Sequence, residues 1–161
     1  MLKLLVDYMP EVFLIVILAL FVMFIGARLA PFFRNMAYRR KIRRSGLDDI
    51  DDGHDFEIFV VNLLKKNGFR DIRVTPKTGD YGADILAVLD GDRYAIQCKL
   101  YGKSVGIKAV QEVYAAMQYY ECQAAAVATN SNFSKNARNL ADSTGVYLWD
   151  RDVLIDMSQN R

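Results

Sequence analysis

The chain has 161 residues, 52% of them hydrophobic, and a net charge of +2, which suits one ordinary domain and an additional segment. Residues 1–45 hold eight Lys and Arg against two Asp and Glu, whereas residues 46–161 hold thirteen against seventeen, a net charge of −4. The larger part is therefore not basic, which argues against a simple DNA-binding module. Cys98 and Cys122 belong to no CxxC motif, and indicate buried thiols in a reducing compartment.

The first feature along the chain is an uncharged apolar run over residues 12–27, VFLIVILALFVMFIGA, which continues past Arg28 to Phe33. A helix extended to Phe33 would be about 33 Å long, enough to cross a bilayer with Arg28 reaching its surface. A signal peptide fits less well, because Asp7 and Glu11 precede the run and Arg28 occupies the cleavage position. We therefore predict a short extracytoplasmic segment over residues 1–11 and one transmembrane helix over residues 12–33.

Basic residues follow this run, and they set the predicted orientation. Only Lys3 precedes it, whereas six basic residues come after it: Arg34, Arg39, Arg40, Lys41, Arg43 and Arg44. Positive flanks stay in the cytoplasm, so we expect a single-pass membrane protein whose C-terminal domain is cytoplasmic. The basic run fits a lipid-surface flank better than a nucleic-acid contact. We predict a basic, then acidic linker over residues 34–49 and a domain over residues 50–157.

The predicted domain starts with an amphipathic helix that ends at Asn67-Gly68 and carries Glu57 at the border of its apolar stripe. Its apolar residues recur at helical spacing: Phe56, Phe59, Val60, Leu63 and Leu64. A short strand over residues 72–75 and a turn-rich segment over residues 76–82 follow. Residues 84–89 and 93–100 then predict two strands joined by Asp90-Gly91, a strong hairpin signal.

The remaining elements complete an α-β-β-β-α-β-α-β order. We predict a helix over residues 107–121, a buried strand over 124–129, a helix from Ser134 to near Gly145, a strand over 146–149 and a short helix capped by Asp152. This order predicts an α/β fold in which a mixed central sheet is flanked by helices. The sequence has no GxGxxG fingerprint and no P-loop, which argues against a nucleotide-binding fold.

The predicted hairpin places polar residues on one face of the sheet. If Asp90 and Gly91 form a two-residue turn, Asp84 lies opposite Gln97, and Lys99 follows on the same face. A carboxylate, an amide oxygen and a lysine at one point suit metal-assisted hydrolysis of phosphodiesters. Glu57 could add a second anionic ligand. A structural ion pair between Asp84 and Lys99 is the alternative, and the spacing leaves both open.

Three segments carry a resemblance to a known family: GHDFEIFVVNLLKKNGF, TGDYGADI and AIQCKLY, with VQEV and ATN further on. Over about residues 50–156 the chain resembles the Mrr-type restriction endonuclease domain of the PD-(D/E)xK nuclease superfamily. The resemblance implies a restriction-endonuclease-like αβββαβ core. It also implies a Mg²⁺ site, with Mn²⁺ as a substitute. The implied catalytic residues are Glu57, Asp84, Gln97 and Lys99, and the implied metal ligands are Asp84, Glu57, Gln97 and the backbone carbonyl of Cys98.

The function expected from these features is a membrane-anchored, Mg²⁺-dependent DNA endonuclease, with restriction of foreign or modified DNA as a role. The alternative is a non-catalytic, membrane-tethered module that uses the nuclease fold to bind DNA or a partner protein, and the net charge of −4, unusual for a DNA-cleaving domain, motivates it. Lys103 and Lys108 are the candidates for contacts with DNA phosphates. The expected partners are DNA and the membrane, and a homo-oligomer is left open.

Four further residues are predicted to have structural roles. His54 belongs to the start of the first helix of the domain, and Asp80 to the turn before Asp84. Tyr119 and Tyr120 are predicted to cover the sheet, and stacking on a single-stranded or flipped base is the alternative.

Overall fold

The computed structural model describes residues 17–29, 46–76 and 79–159 and divides into two units, residues 1–41 and 42–161. In the first unit, residues 17–29 form helix α1 with exposed side chains. Of the helices within the described ranges, none is long and apolar enough to cross a membrane. The predicted span therefore lacks support; its residues 12–16 and 30–33, and the flanks 1–11 and 34–45, lie outside the described residues.

The second unit follows the predicted order of helices and strands. A 3₁₀ turn over Leu47–Asp49 precedes the first of these. The elements are α2 (Gly53–Lys66), β1 (Arg70–Val74), β2 (Ile85–Leu89), β3 (Asp92–Lys99), α3 (Ile107–Tyr119), β4 (Ala124–Thr129), α4 (Lys135–Thr144), β5 (Tyr147–Trp149) and α5 (Arg151–Gln159).

The five strands form one mixed sheet in the order β1-β2-β3-β4-β5, with β3 at its centre. The pairs β1–β2 and β2–β3 are antiparallel, and the pairs β3–β4 and β4–β5 are parallel. Asp90 and Gly91 both have positive φ, 52° and 98°, as a two-residue type I′ turn requires. Leu89 therefore pairs with Asp92 and Ile85 with Ile96, which confirms the predicted register of the hairpin.

Helices cover both faces of the sheet, and the alternation along β3 decides which residues meet which helix. On one face, Ile96 joins the apolar core formed with α2 and α5, and Cys98 packs against it. On the other face, Ala95 joins the core formed with α3 and α4. Gln97 and Lys99 share the parity of Ala95, and their polar groups are therefore directed toward α3.

Local signals explain where the helices begin and end. The Asp52 carboxylate accepts hydrogen bonds from the backbone N–H groups of His54 and Asp55, which starts α2. Gly145, with φ of 74°, ends α4 in the left-handed conformation that glycine adopts at low cost. The predicted cap of α5 is wrong: the Asp150 side chain, and not that of Asp152, accepts the N–H of Val153. Asp150 lies just before the first turn, where its carboxylate can reach the free N–H groups, whereas Asp152 already lies inside the helix.

Candidate active site

The end of the central strand β3 carries two polar side chains that contact the same carboxylate on α3. Gln97 is almost fully buried, with 4% of its surface exposed, and its Nε2 donates to Glu112 Oε2 at 3.1 Å. The Lys99 ammonium lies 3.3 Å from the same oxygen. Lys108, one turn before Glu112 on α3, lies 3.5 Å from the other carboxylate oxygen. Glu112 is therefore the centre of a polar cluster that joins β3 to α3.

These neighbours keep Glu112 ionised. Partial burial works to raise the pKa of Glu112, but the Lys99 ammonium, the Gln97 amide and the Lys108 ammonium together hold this pKa below its ordinary value. A carboxylate that stays charged can accept hydrogen bonds and cannot donate them. The amide group of Gln97 must therefore direct its NH₂ at Glu112 and its oxygen away from it.

The amide oxygen of Gln97 is buried and accepts no hydrogen bond from the part of the chain that the structure describes. An unpaired buried acceptor is costly, by about 1–3 kcal/mol, and is uncommon in a folded protein. A hard cation is one group that such an oxygen can bind. The orphaned oxygen therefore fits the predicted role of Gln97 as a neutral ligand.

Asp84 lies just before β2, beside the same end of β3. Its carboxylate accepts the backbone N–H of Cys98 at 2.6 Å, and its own N–H donates to the carbonyl of Ile96 at 2.9 Å. Burial raises the pKa of Asp84 above 3.8; the Cys98 N–H works against this rise, while the nearby Glu57 carboxylate adds to it. The Lys99 ammonium lowers the pKa of Asp84, whereas Glu57 raises it. Asp84 thus lies within electrostatic reach of both residues.

Glu57 reaches this region from α2, on the opposite face of the sheet from Glu112. His54, one turn earlier, places its Nδ1 3.5 Å from the Glu57 carboxylate, in agreement with a role at the helix start. The Glu57 carboxylate is among the causes that raise the pKa of both Asp84 and Cys98, in agreement with a position near the end of β3. The structure thus brings Glu57, Asp84, Gln97 and Lys99 to one end of the sheet.

The predicted donors to a metal here are the carboxylates of Asp84 and Glu57, the amide oxygen of Gln97 and the backbone carbonyl of Cys98. Within residues 17–29, 46–76 and 79–159, no group of three or more His, Cys, Asp or Glu side chains could hold a metal ion. A metal here would therefore need the neutral oxygens of Gln97 and Cys98 beside Asp84 and Glu57. Burial, and then the negative charges of Asp84 and Glu57, raise the pKa of the Cys98 thiol well above 9.0, so this thiol is protonated at neutral pH.

Glu112 is the residue of this site that sequence reasoning missed. It belongs to the VQEV segment, but neither its spacing nor its neighbours in sequence connect it with Gln97 or Lys99. Its position four residues after Lys108 predicts a helical ion pair and no more. Of the lysines predicted to contact DNA, Lys108 joins the Glu112 cluster and is otherwise exposed, and Lys103 is exposed in the loop between β3 and α3.

The segment before Asp84 forms the turn that was predicted for Asp80. The Asp80 carboxylate accepts the N–H of Gly82, and its backbone carbonyl accepts both the N–H of Ala83 and the hydroxyl of Tyr120. Tyr120 packs against the core of the α3 face, as expected. The prediction that Tyr119 covers the sheet is wrong: Tyr119 follows the last buried turn of α3, and it is 57% exposed.

Comparisons with known proteins agree with this arrangement. The Mrr_cat family, described as a restriction endonuclease, matches residues 47–158. The DNA modification-dependent restriction endonuclease AspBHI has a similar structure, with a TM-score of 0.56 and 18% identity over 76% of this chain and 34% of that one. The protein of unknown function AF1548 has a TM-score of 0.51 and 24% identity over 62% of each chain. This chain thus spans about a third of AspBHI. A comparison with curated protein sequences found no match.

The two structural similarities concern the fold alone, and the similarity to AspBHI identifies the mixed sheet with flanking helices as restriction-endonuclease-like. The family match covers the 3₁₀ turn, every strand of the sheet and nearly all of α5, and it includes all the residues of the site described above. The chain therefore belongs to the Mrr_cat restriction endonuclease family, and the site at the end of β3 lies in a nuclease domain.

Proposed function

We propose that this protein is a membrane-anchored, Mg²⁺-dependent DNA endonuclease that cleaves foreign or modified DNA. Membership of the restriction endonuclease family supports the nuclease activity. The observation that carries the proposal is the orientation of Gln97, whose buried oxygen is left without a hydrogen-bond partner among the described residues while its NH₂ is held by Glu112. A purely structural glutamine would be expected to satisfy both ends of its amide.

The proposed roles follow from charge and position. Asp84 and Glu57 supply two negative charges, and Gln97 and the Cys98 carbonyl supply two neutral oxygens, which together suit Mg²⁺. When bound, the metal would activate a water molecule and stabilise the negative charge that develops on the phosphate. Lys99 would orient this water or neutralise the phosphate, since Glu112 keeps its ammonium beside Gln97. Lys103 and Lys108 would contact flanking phosphates.

A cleavage assay with the full chain in detergent tests this proposal. Plasmid DNA carrying or lacking modified bases is incubated with Mg²⁺, with Mn²⁺ and with EDTA. Lys99→Ala and Asp84→Asn are each expected to lower the rate at least about 100-fold, whereas Lys65→Ala, which removes an exposed lysine of α2, is expected to leave it unchanged. Equal cleavage by wild type and Asp84→Asn, or cleavage in EDTA, would contradict the proposed site.

The alternative is a non-catalytic module that binds DNA or a partner protein, and the net charge of −4 on residues 46–161 suits a partner protein better than DNA. Such a protein would bind DNA without cleaving it under any divalent metal. Calorimetry with Mn²⁺ separates the two functions. A nuclease should bind Mn²⁺ through Asp84 and lose this binding in Asp84→Asn, while a non-catalytic module should show no metal binding with either residue at this position.

The anchoring part of the proposal depends on residues 12–33, which would cross the membrane with the basic residues 34–44 and the nuclease domain on the cytoplasmic side. The protein should remain in the membrane fraction after washing with high salt and alkaline carbonate. Protease added outside intact cells should leave the nuclease domain uncut. Release by the alkaline wash, or digestion of the domain in intact cells, would contradict the anchor and the cytoplasmic location respectively.

A further inference from the structure

Three tyrosines form an exposed aromatic surface beside the candidate active site, and we call it the tyrosine cluster: Tyr81, Tyr119 and Tyr120. The rings of Tyr81 and Tyr119 stack with centroids 3.9 Å apart. Tyr120 contacts both rings edge-on, at 6.5 Å from Tyr81 and 4.9 Å from Tyr119. Tyr81 and Tyr119 remain 56% and 57% exposed. Each of these two rings therefore has one face against its partner and much of its other surface in solvent.

The cluster is held in a fixed position. Tyr81 lies in the turn between Asp80 and Gly82, with φ of 50°, a left-handed conformation that is uncommon for a residue with a side chain. The Tyr120 hydroxyl donates to the Asp80 carbonyl at 3.2 Å and ties this turn to the end of α3. Gly82 packs so closely on α3 that an added Cβ would lie 2.7 Å from the Glu112 carbonyl oxygen.

The same contacts place the cluster next to the site. Tyr81 is three residues before Asp84, and the turn that carries it touches the backbone of Glu112, whose carboxylate holds Gln97 and Lys99. The carboxylate of Asp80, which is next to Tyr81 in the chain, contributes to the raised pKa of Asp84. A ligand that contacts the tyrosine cluster would therefore be within a few nucleotides of the reacting phosphate.

Exposed tyrosine rings beside a nuclease site suit one kind of ligand. Aromatic side chains bind single-stranded DNA by stacking on its bases, and this contact is tolerant of sequence because every base has a π-face. In an intact duplex, both faces of each base are already stacked on neighbouring bases, so the rings could not reach them without unstacking. The ligand that the cluster fits is therefore an unpaired nucleotide.

We propose that the tyrosine cluster binds an unpaired base of the DNA substrate, so that the enzyme prefers DNA with a single-stranded stretch to intact duplex. The base stacks on the outer face of Tyr81 or Tyr119, while Lys108, near the other end of α3, neutralises a phosphate further along the strand. This inference rests on the proposed nuclease function for its substrate, DNA. The preference itself is a property of binding, and it can be measured without cleavage.

The test uses the full chain in detergent with EDTA present, which prevents metal-dependent cleavage. The probes are a single-stranded oligonucleotide, a gapped duplex and an intact duplex, each with one 2-aminopurine whose fluorescence falls when it stacks. Tyr81→Asn is the main variant, because Asn tolerates a positive φ, and Tyr81→Phe keeps the ring. Tyr147→Ala is the matched control: Tyr147 is similarly exposed, at 52%, but lies on the edge strand β5.

We expect the wild type and Tyr81→Phe to quench the probe in single-stranded and gapped DNA. Tyr81→Asn and Tyr119→Ala should lose the quenching and bind these two probes about tenfold more weakly, with binding to intact duplex unchanged. Quenching in the single-stranded probe alone would show that the cluster takes a base only from a free strand. Quenching in the single-stranded and gapped probes would show that it also takes a base from a gap in a duplex. The proposal would be overturned if Tyr147→Ala lost as much quenching and affinity as Tyr81→Asn, or if Tyr81→Asn lost neither.

A cleavage assay on the same variants separates this inference from the proposed function. If the wild type cleaves gapped DNA faster than intact duplex and Tyr81→Asn cleaves the two equally, both the inference and the proposed function are supported. If the wild type cleaves but no variant alters the preference, only the inference fails. If neither the wild type nor any variant cleaves DNA under any metal while the tyrosine-dependent quenching persists, the proposed nuclease function fails and the inferred binding surface remains supported.

Discussion

Replacing Gly82 with alanine tests the contact between the turn before Asp84 and helix α3. Gly82 has φ of 95°, and a Cβ there would lie 2.7 Å from the carbonyl oxygen and 2.9 Å from the carbonyl carbon of Glu112. Both atoms belong to the helix backbone, so no side-chain rotation can relieve the clash. Gly91 is the matched control: it has φ of 98°, but no atom lies within 4 Å of the added Cβ.

The comparison of Gly82→Ala with Gly91→Ala isolates the steric cost of placing a Cβ against α3. A left-handed backbone costs about 1–2 kcal/mol for alanine at either position, and the loss of chain entropy in the unfolded state is also shared. Gly82→Ala adds the cost of overpacking, about 1–3 kcal/mol. We therefore expect the free energy of unfolding to fall by about 1–2 kcal/mol in Gly91→Ala and by about 2–5 kcal/mol in Gly82→Ala.

The assay is urea denaturation of the full chain in detergent, followed by circular dichroism. Gly82→Ala should also slow cleavage by at least about tenfold, because moving α3 at Glu112 displaces the group that holds Gln97 and Lys99. Gly91→Ala should keep the wild-type rate. Equal destabilisation by the two substitutions would refute the close approach of this turn to α3.

Three further predictions concern the site and the core. Glu112→Gln removes the charge that holds Lys99, so kcat should fall about 10- to 100-fold with little change in KM; an unchanged kcat would contradict the positioning role. Asp84→Asn should raise Tm at pH 7, because burial raises the pKa of Asp84 above its unfolded value, so that ionising the folded protein costs stability. This gain should shrink as pH falls through the folded pKa toward 3.8, and a gain that does not depend on pH would contradict the cause. Phe56→Ala, at a fully buried position of α2, should lower the free energy of unfolding by about 3–5 kcal/mol in the denaturation assay, and a loss below about 1 kcal/mol would contradict its place in the core.

Much of the fold could be predicted because its signals are local. Asp90-Gly91 predicts a type I′ turn, and that turn sets the pairing of β2 with β3, as the structure confirms. The spacing of Phe56, Val60 and Leu64 predicts the buried face of α2 in the same way. The errors fall where competing signals lie close together, as with Asp150 and Asp152 before α5, or at the exposed end of a helix, as with Tyr119.

The sequence by itself determined which residues share a face of β3, because the alternation of a strand is a property of the backbone. This is why the strand pattern alone places Gln97 and Lys99 together. Only the tertiary structure decided that Glu112 meets both of them, and that Tyr81 stacks on Tyr119. Helical periodicity predicts which side of α3 is buried, but not how far along β3 the helix lies or which of its border residues meets a given strand residue. That position depends on the packing of both cores and on the close contact at Gly82, and these involve residues distant in sequence.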